Sequence, residues 1–179
     1  MALLYPAALS CSLTGTIGSI LLLLSHGLSS TTLFLLIGCL YNRTHHRLIR
    51  YHSSLLYQLP LLAICCSLAF LANLSLPSTL NFLAELLILQ SCLNHGLELA
   101  FLLSLTILLA GVYSLVPLTR LSFGASPSYG YTRSTDLSLT EALPATACIL
   151  LNLLFGLYPL ALTRPLLPTA LELSSACLT

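Results

Sequence analysis

The chain has 179 residues, 57% of them hydrophobic and 6% charged, with a mean hydropathy of +0.97. Soluble domains carry about 25% charged residues, so too little polar surface is present to cover a water-soluble globule, and the composition specifies an integral membrane protein. The formal net charge is +1 and the six basic side chains are all arginine, which leaves no basic tract for nucleic acid.

A bilayer is crossed by about 20 predominantly apolar helical residues. Stretches at about 13–40, 56–76, 79–96, 99–117 and 142–162 meet that measure. The expected fold is therefore all-α, a single transmembrane region over residues 1–179 with about five transmembrane helices. Residues 1–12 are apolar but short and contain Pro6. They lack the basic flank of a cleavable signal and fit the tail of an earlier span. The first stretch runs into a polar loop, 41–55, which gathers Arg43, Arg47, Arg50, His45, His46 and His52. Pro60 stands in the first turn of the second stretch, where a missing N–H does little harm.

The second and third stretches are joined at Pro77, a helix breaker, with Ser78 and Thr79 placed to cap the helix that follows. That helix carries Asn81 and Glu85 and runs to the turn cluster Asn94, His95, Gly96. The fourth ends around Pro117 and Arg120. A second polar loop, 118–140, is rich in Gly, Ser, Pro and Tyr; Thr140 can cap the last span, with Glu141 in its first turn. Residues 165–179 form a tail too short to span, suited to the interface. Counted as five separate spans, the chain puts the 41–55 loop and the tail on one face and the 118–140 loop on the other.

Glu85 is the most informative residue. A lone charge inside a long apolar stretch costs roughly 3 kcal/mol or more at the bilayer centre, so such groups face protein or water and mark ion or proton paths. Backbone interrupted at membrane depth, as Pro77 requires, is tolerated only where protein or a wet cavity satisfies it. The structural alternative for Glu85 is a neutral carboxyl bonded to one neighbour. His26, near the middle of the first stretch, shares a small polar face with Gly18, Ser19, Ser29 and Ser30, extended by Thr14 and Gly15. That face suits close helix packing; it equally suits a proton relay, since imidazole takes up and gives up protons. Glu98 and His95 lie by a turn, Arg120 at a helix end, and Asn73 and Asn152 are single amides suited to bonds across helices. The seven cysteines sit in no CxxC pair and read as small buried apolar side chains. Gly-rich nucleotide loops, nucleophile elbows and zinc spacings are all missing from the sequence.

Four stretches carry a family resemblance. "SHGLSSTTLFLLIGCLYNRTHHR" (25–47), "LANLSLPSTLNFLAELLIL" (71–89), "VYSLVPLTRLSFG" (112–124) and "LFGLYPLAL" (154–162) occur in the order and spacing of the C-terminal part of the chain 4 antiporter-like subunits of proton-pumping NADH:ubiquinone oxidoreductase, respiratory complex I. The resemblance covers about residues 10–162. It implies the C-terminal part of an inverted-repeat bundle. Glu85 would stand at the family's glutamate and His26 at its mid-membrane histidine, a proton relay beside the break at Pro77, Ser78 and Thr79. Asn42 and His46 depart from the common "LYERxHxR" pattern.

The resemblance further implies that NAD, FMN, iron–sulfur clusters and ubiquinone are bound by other subunits, with no cofactor or metal in this chain. The implied partners are other membrane-arm subunits and lipids. The Met1 start suits a split subunit, whose first half another polypeptide supplies. The leucine-rich, lysine-free composition suits the mitochondrial inner membrane, with a bacterial plasma membrane as the alternative. Two rival functions are a subunit of a multi-subunit sodium/proton antiporter and a purely structural membrane scaffold.

Overall fold

A helix of 32 residues, α2 (Leu13–Thr44), organises the molecule. At 1.5 Å per residue it is about 48 Å long, enough to cross a bilayer with its head-group layers. The computed structural model describes residues 3–10, 12–46, 48–49, 52, 54–124 and 135–178, which fold as α-helices without strands. Besides α2 these are α1 (Leu4–Leu9), α3 (Leu55–Gln58), α4 (Pro60–Asn73), α5 (Leu80–His95), α6 (Leu97–Ser122), α7 (Leu139–Leu157) and α8 (Leu160–Leu178). By length and composition α2, α6 and α7 can each cross a membrane, and α4 is a shorter apolar helix.

The packing of α2 follows from its sequence. Gly15, Gly18, Leu22, Ser25, Ser29, Thr32 and Leu36 alternate at spacings of three and four and are all buried, the seam of a helix that packs at a shallow crossing angle. Small residues let the partner backbone come close. A Cβ on Gly15 would lie 2.7 Å from Ser91 Oγ, and one on Gly18 would lie 3.0 Å from the Ile88 side chain. These two pairings make α5 antiparallel to α2. Toward its other end α2 packs Leu36 and Leu40 with Leu59, Leu62 and Cys66, so α4 continues where α5 leaves off. The proline-joined pair thus lies end to end along α2, as two halves of one interrupted traverse.

That arrangement corrects the expected placement of the loops. The Arg43 guanidinium, at the end of α2, bonds the Thr135 and Asp136 carbonyls at 2.8 and 3.2 Å and the Glu141 carboxylate at 2.6 Å. The Asp136 carboxylate accepts from the Leu61 and Leu62 N–H groups at the start of α4, at 2.8 and 3.2 Å. The described parts of the 41–55 and 118–140 loops therefore share one end of the bundle. Counting 56–76 and 79–96 as two full crossings had inverted the parity, because the break at Pro77 interrupts a traverse without reversing it. Arg47, Arg50 and Arg133 lie outside the described residues.

At the opposite end the start of α2, the end of α5 and α1 meet in a hydroxyl cluster. Ser91 Oγ is 2.7 Å from Ser10 Oγ and 2.6 Å from Ser12 Oγ, and His95 Nε2 is 2.7 Å from the Ser10 carbonyl oxygen. Two apolar clusters fill the bundle, one built around Leu36, Leu62, Cys66 and Ile149, the other around Leu21, Ala84, Ile88 and Leu103. Leu162, Leu166 and Ala170 of α8 join the second, so residues 160–178 run beside the core as helix. The α7 N-cap is Ser138, with the Glu141 carboxylate accepting from the Ser138 N–H at 3.2 Å; Thr140 lies inside the helix. On α6, Leu102, Leu105, Leu109, Val112 and Val116 are exposed, a surface suited to acyl chains.

Candidate functional site

Residues 74–79 form the break between α4 and α5, and each of its backbone groups has a local reason for its path. Ser75 takes a left-handed backbone (φ 53°) just past the end of α4. The Ser75 N–H bonds the Ala72 carbonyl at 3.3 Å and the Leu76 N–H the Leu71 carbonyl at 3.5 Å, the paired bonds of a Schellman C-cap. Pro77 cannot extend a helix, and with Ser78 at φ 93° and the Thr79 N–H on the Leu76 carbonyl at 3.0 Å it forms a type II turn. Thr79 then caps α5, its hydroxyl accepting from the Phe82 N–H at 3.5 Å.

Side chains from elsewhere tie the two ends together. Asn81 Nδ2, on α5, donates to the Ala72 carbonyl of α4 at 2.8 Å. From α7, Asn152 Oδ1 accepts from the Leu80 N–H at 3.1 Å. One turn on, Gly156 lies against the backbone of the break, so that a Cβ there would come within 2.7 Å of the Leu80 nitrogen. Asn81 and Asn152 are 5% and 2% exposed. The cost of burying the amides is offset here because each bonds a backbone group at a helix end, the Leu80 N–H having no partner within α5.

Opposite the break, Ser25, Ser29 and Thr32 of α2 are buried. The Ser25 hydroxyl donates to the Leu22 carbonyl at 3.0 Å, and the Thr32 hydroxyl to the Ser29 carbonyl at 2.8 Å. These hydroxyls complete a polar layer between the two apolar clusters.

Both relay candidates border this layer. Glu85 lies on the second turn of α5 and is half-buried. His26 is half-buried on α2, at the edge of the seam rather than on it. Extending the Gly15–Ser91 and Gly18–Ile88 register sets His26 level with about residue 80. Glu85 is then offset by about 7 Å along the helix axes. Among the described residues no hydrogen bond joins His26 to Glu85, or His26's ring to any other side chain. Pro77 and Ser78 are exposed, while Thr79 is buried. Glu98, Asn73 and Arg120 are exposed and outside the layer.

Sequence reasoning missed Ser75, Gly156 and the strap made by Asn81. A serine two residues before a helix-breaking proline signals a cap only when its positive φ is known. Gly156 and Ala72 owe their roles to partners far away in sequence. Chemically, the site offers one ionisable carboxyl, held at an interrupted backbone between two dry clusters. Among the described residues no group of three His, Cys, Asp or Glu side chains is arranged to hold a metal ion.

Residues 1–116, which include His26, the break and Glu85, match the family described as the NADH:quinone oxidoreductase/Mrp antiporter transmembrane region. The chain is 38% identical to NADH-ubiquinone oxidoreductase chain 4 of Candida albicans over 160 residues, 89% of this chain and 34% of the relative. It is 34% identical to chain 4 of Acanthamoeba castellanii over 146 residues, 82% of this chain and 29% of that one. A chain of respiratory complex I from Thermus thermophilus superposes with a TM-score of 0.84 at 31% identity, over 95% of this chain and 36% of that chain. The chain thus spans about a third of the length of the relatives it matches. It belongs to the NADH:quinone oxidoreductase/Mrp antiporter transmembrane family, as a chain 4-like, antiporter-like membrane subunit.

Proposed function

We propose that this chain supplies the second half of an antiporter-like proton path in the membrane arm of NADH:ubiquinone oxidoreductase. In this reading Glu85 is the proton carrier and His26 links it, through water, to the rest of the path. The break at Pro77, Ser78 and Thr79 gives the carboxyl its polar surroundings. The observation that carries the reading is the position of Glu85: an acidic side chain one turn into α5, beside a capped helix break, within residues that match the family. In this reading water bridges the two groups, which are offset by about 7 Å along the helix axes. NAD, FMN, iron–sulfur clusters and ubiquinone belong to other subunits, so the chain takes part in the enzyme's energy conversion without redox chemistry of its own. The membrane is the mitochondrial inner membrane.

The test is Glu85→Gln in the assembled complex, which keeps shape and hydrogen bonding but carries no proton. The expected result is normal assembly with fewer protons translocated per electron. An unchanged ratio would overturn the reading. A second reading, a subunit of a sodium/proton antiporter, is favoured by the Mrp half of the family description. Purification of the native assembly separates the two, since flavin and iron–sulfur subunits accompany the chain only in the first.

A further inference from the structure

Near the end of α2 that carries Arg43, an apolar groove of about 500 Å³ opens on the side of the bundle. Phe34, Gly38 and Tyr41 of α2 form one wall, Leu121 of α6 the other, and Phe70 of α4 the floor. Phe34 at the mouth is 77% exposed, whereas Phe70 is 9% exposed. Gly38 keeps the wall low: a Cβ there would meet nothing within 4 Å.

The groove follows the layering of a bilayer. Phe34 lies about 15 Å before the end of α2 by the helical rise, at the depth of acyl chains. Tyr41 and His46 stand at that end, at the level of head groups, where tyrosine is enriched. His52 closes the groove there, its Nε2 3.1 Å from the His46 carbonyl oxygen. From Phe34 to Tyr41 the groove runs about 10 Å along α2, which gives a mean cross-section of about 50 Å². A helix with its side chains is about 10 Å or more across and fills roughly 80 Å². The groove is too narrow to seat a helix, and extended hydrocarbon fits it.

The balance of charge beside the groove is positive. In sequence, the two loops that meet at this end carry five of the six arginines, Arg43, Arg47, Arg50, Arg120 and Arg133, against the acids Asp136 and Glu141. Both acids are already engaged, Glu141 with Arg43 and Asp136 with the amides that open α4. An excess of arginine beside a groove between transmembrane helices attracts anionic lipid head groups. We propose that the groove holds one acyl chain of an anionic phospholipid, with the phosphate at the level of Tyr41 and His46. The site is independent of the reading of Glu85 as a proton carrier.

The experiment places the intact complex in nanodiscs of phosphatidylcholine doped with phosphatidylglycerol that carries a diazirine on one acyl chain. After irradiation, the labelled residues are mapped by mass spectrometry. Phe70 and Leu121 should be labelled in the parent, since both are buried against protein and reached only through the groove. Gly38→Leu fills the groove from a position with open space and should abolish that label, while Gly38→Ala should keep it. Label elsewhere on the lipid-facing surface should not change. Unlabelled phosphatidylglycerol should compete the label away, and added phosphatidylcholine should not. A parent without label on Phe70 and Leu121 overturns the proposal, because another protein segment then covers the groove. Label that persists in Gly38→Leu overturns it too, and equal competition by the two lipids overturns the anionic assignment. The competition needs no variant, so it decides the matter even if Gly38→Leu fails to assemble.

Discussion

Gly27 and Gly156 lack a side chain for different reasons. A Cβ on Gly27 would meet nothing within 4 Å, whereas one on Gly156 would meet the break's own backbone, 2.5 Å from the Thr79 carbonyl carbon. The same substitution should therefore have opposite signs at the two sites. Gly27→Ala improves helix propensity by up to about 1 kcal/mol and leaves packing alone. Gly156→Ala pushes α7 off the break, at a cost of about 1–3 kcal/mol for an overpacked contact. Thermal unfolding of the purified assembly in nanodiscs checks both; equal losses at the two positions would mean that the Gly27 face is covered by a partner. Among the nine glycines the sequence has no local mark that sets Gly156 apart from Gly27. Their roles depend on what approaches from another helix, and for Gly156 that is backbone 76 or more positions away in the chain.

The break was legible as an element and opaque in its details. Proline inside an apolar stretch, followed by Ser–Thr, announces a helix end and a new cap, and Thr79 does cap α5. Asn152 likewise bonds across helices as a lone amide in an apolar stretch should, through the Leu80 N–H. The Schellman cap at Ser75 and the end-to-end run of α4 and α5 were not legible, because neither a serine φ nor the continued direction of the chain through the break leaves a local residue signal. Two substitutions separate strain from satisfaction within the element. Ser78→Gly should raise stability by about 1 kcal/mol, since it relieves a left-handed residue whose side chain is exposed. Asn152→Leu is close in size but leaves the buried Leu80 N–H unpaired, which costs about 1–3 kcal/mol. The melting temperature should rise with the first and fall with the second. A fall with Ser78→Gly would show that the Ser78 hydroxyl has a partner in the assembly.

Across the whole molecule, the two ends of the bundle are fastened by different chemistry and the middle by neither. One end carries the Arg43–Glu141 ion pair and the Asp136 cap on α4; the other carries the Ser10, Ser12 and Ser91 hydroxyls with His95. Between them lies the break, where short straps bridge two separate helix ends. The break is itself held by the Asn81 and Asn152 bonds, so each level of the bundle has its own fastening. The sequence offers Arg43 and Asp136 as members of two polar loops and Glu141 as a first-turn acid, and their meeting depends on the parity of traverses that Pro77 conceals. Asp136→Ala tests the division of labour. It removes the acceptor for the Leu61 and Leu62 amides, a lost cap worth about 1 kcal/mol. Hydrogen exchange at those two amides should quicken while exchange at Ser91 and Cys92, in the far end's cluster, stays as in the parent. If the Asp136 end is an anchor outside the proton path, Asp136→Ala also leaves protons per electron unchanged, in contrast to Glu85→Gln. A lowered ratio with slow exchange retained at Leu61 and Leu62 would mean that the Asp136 end belongs to the proton path itself.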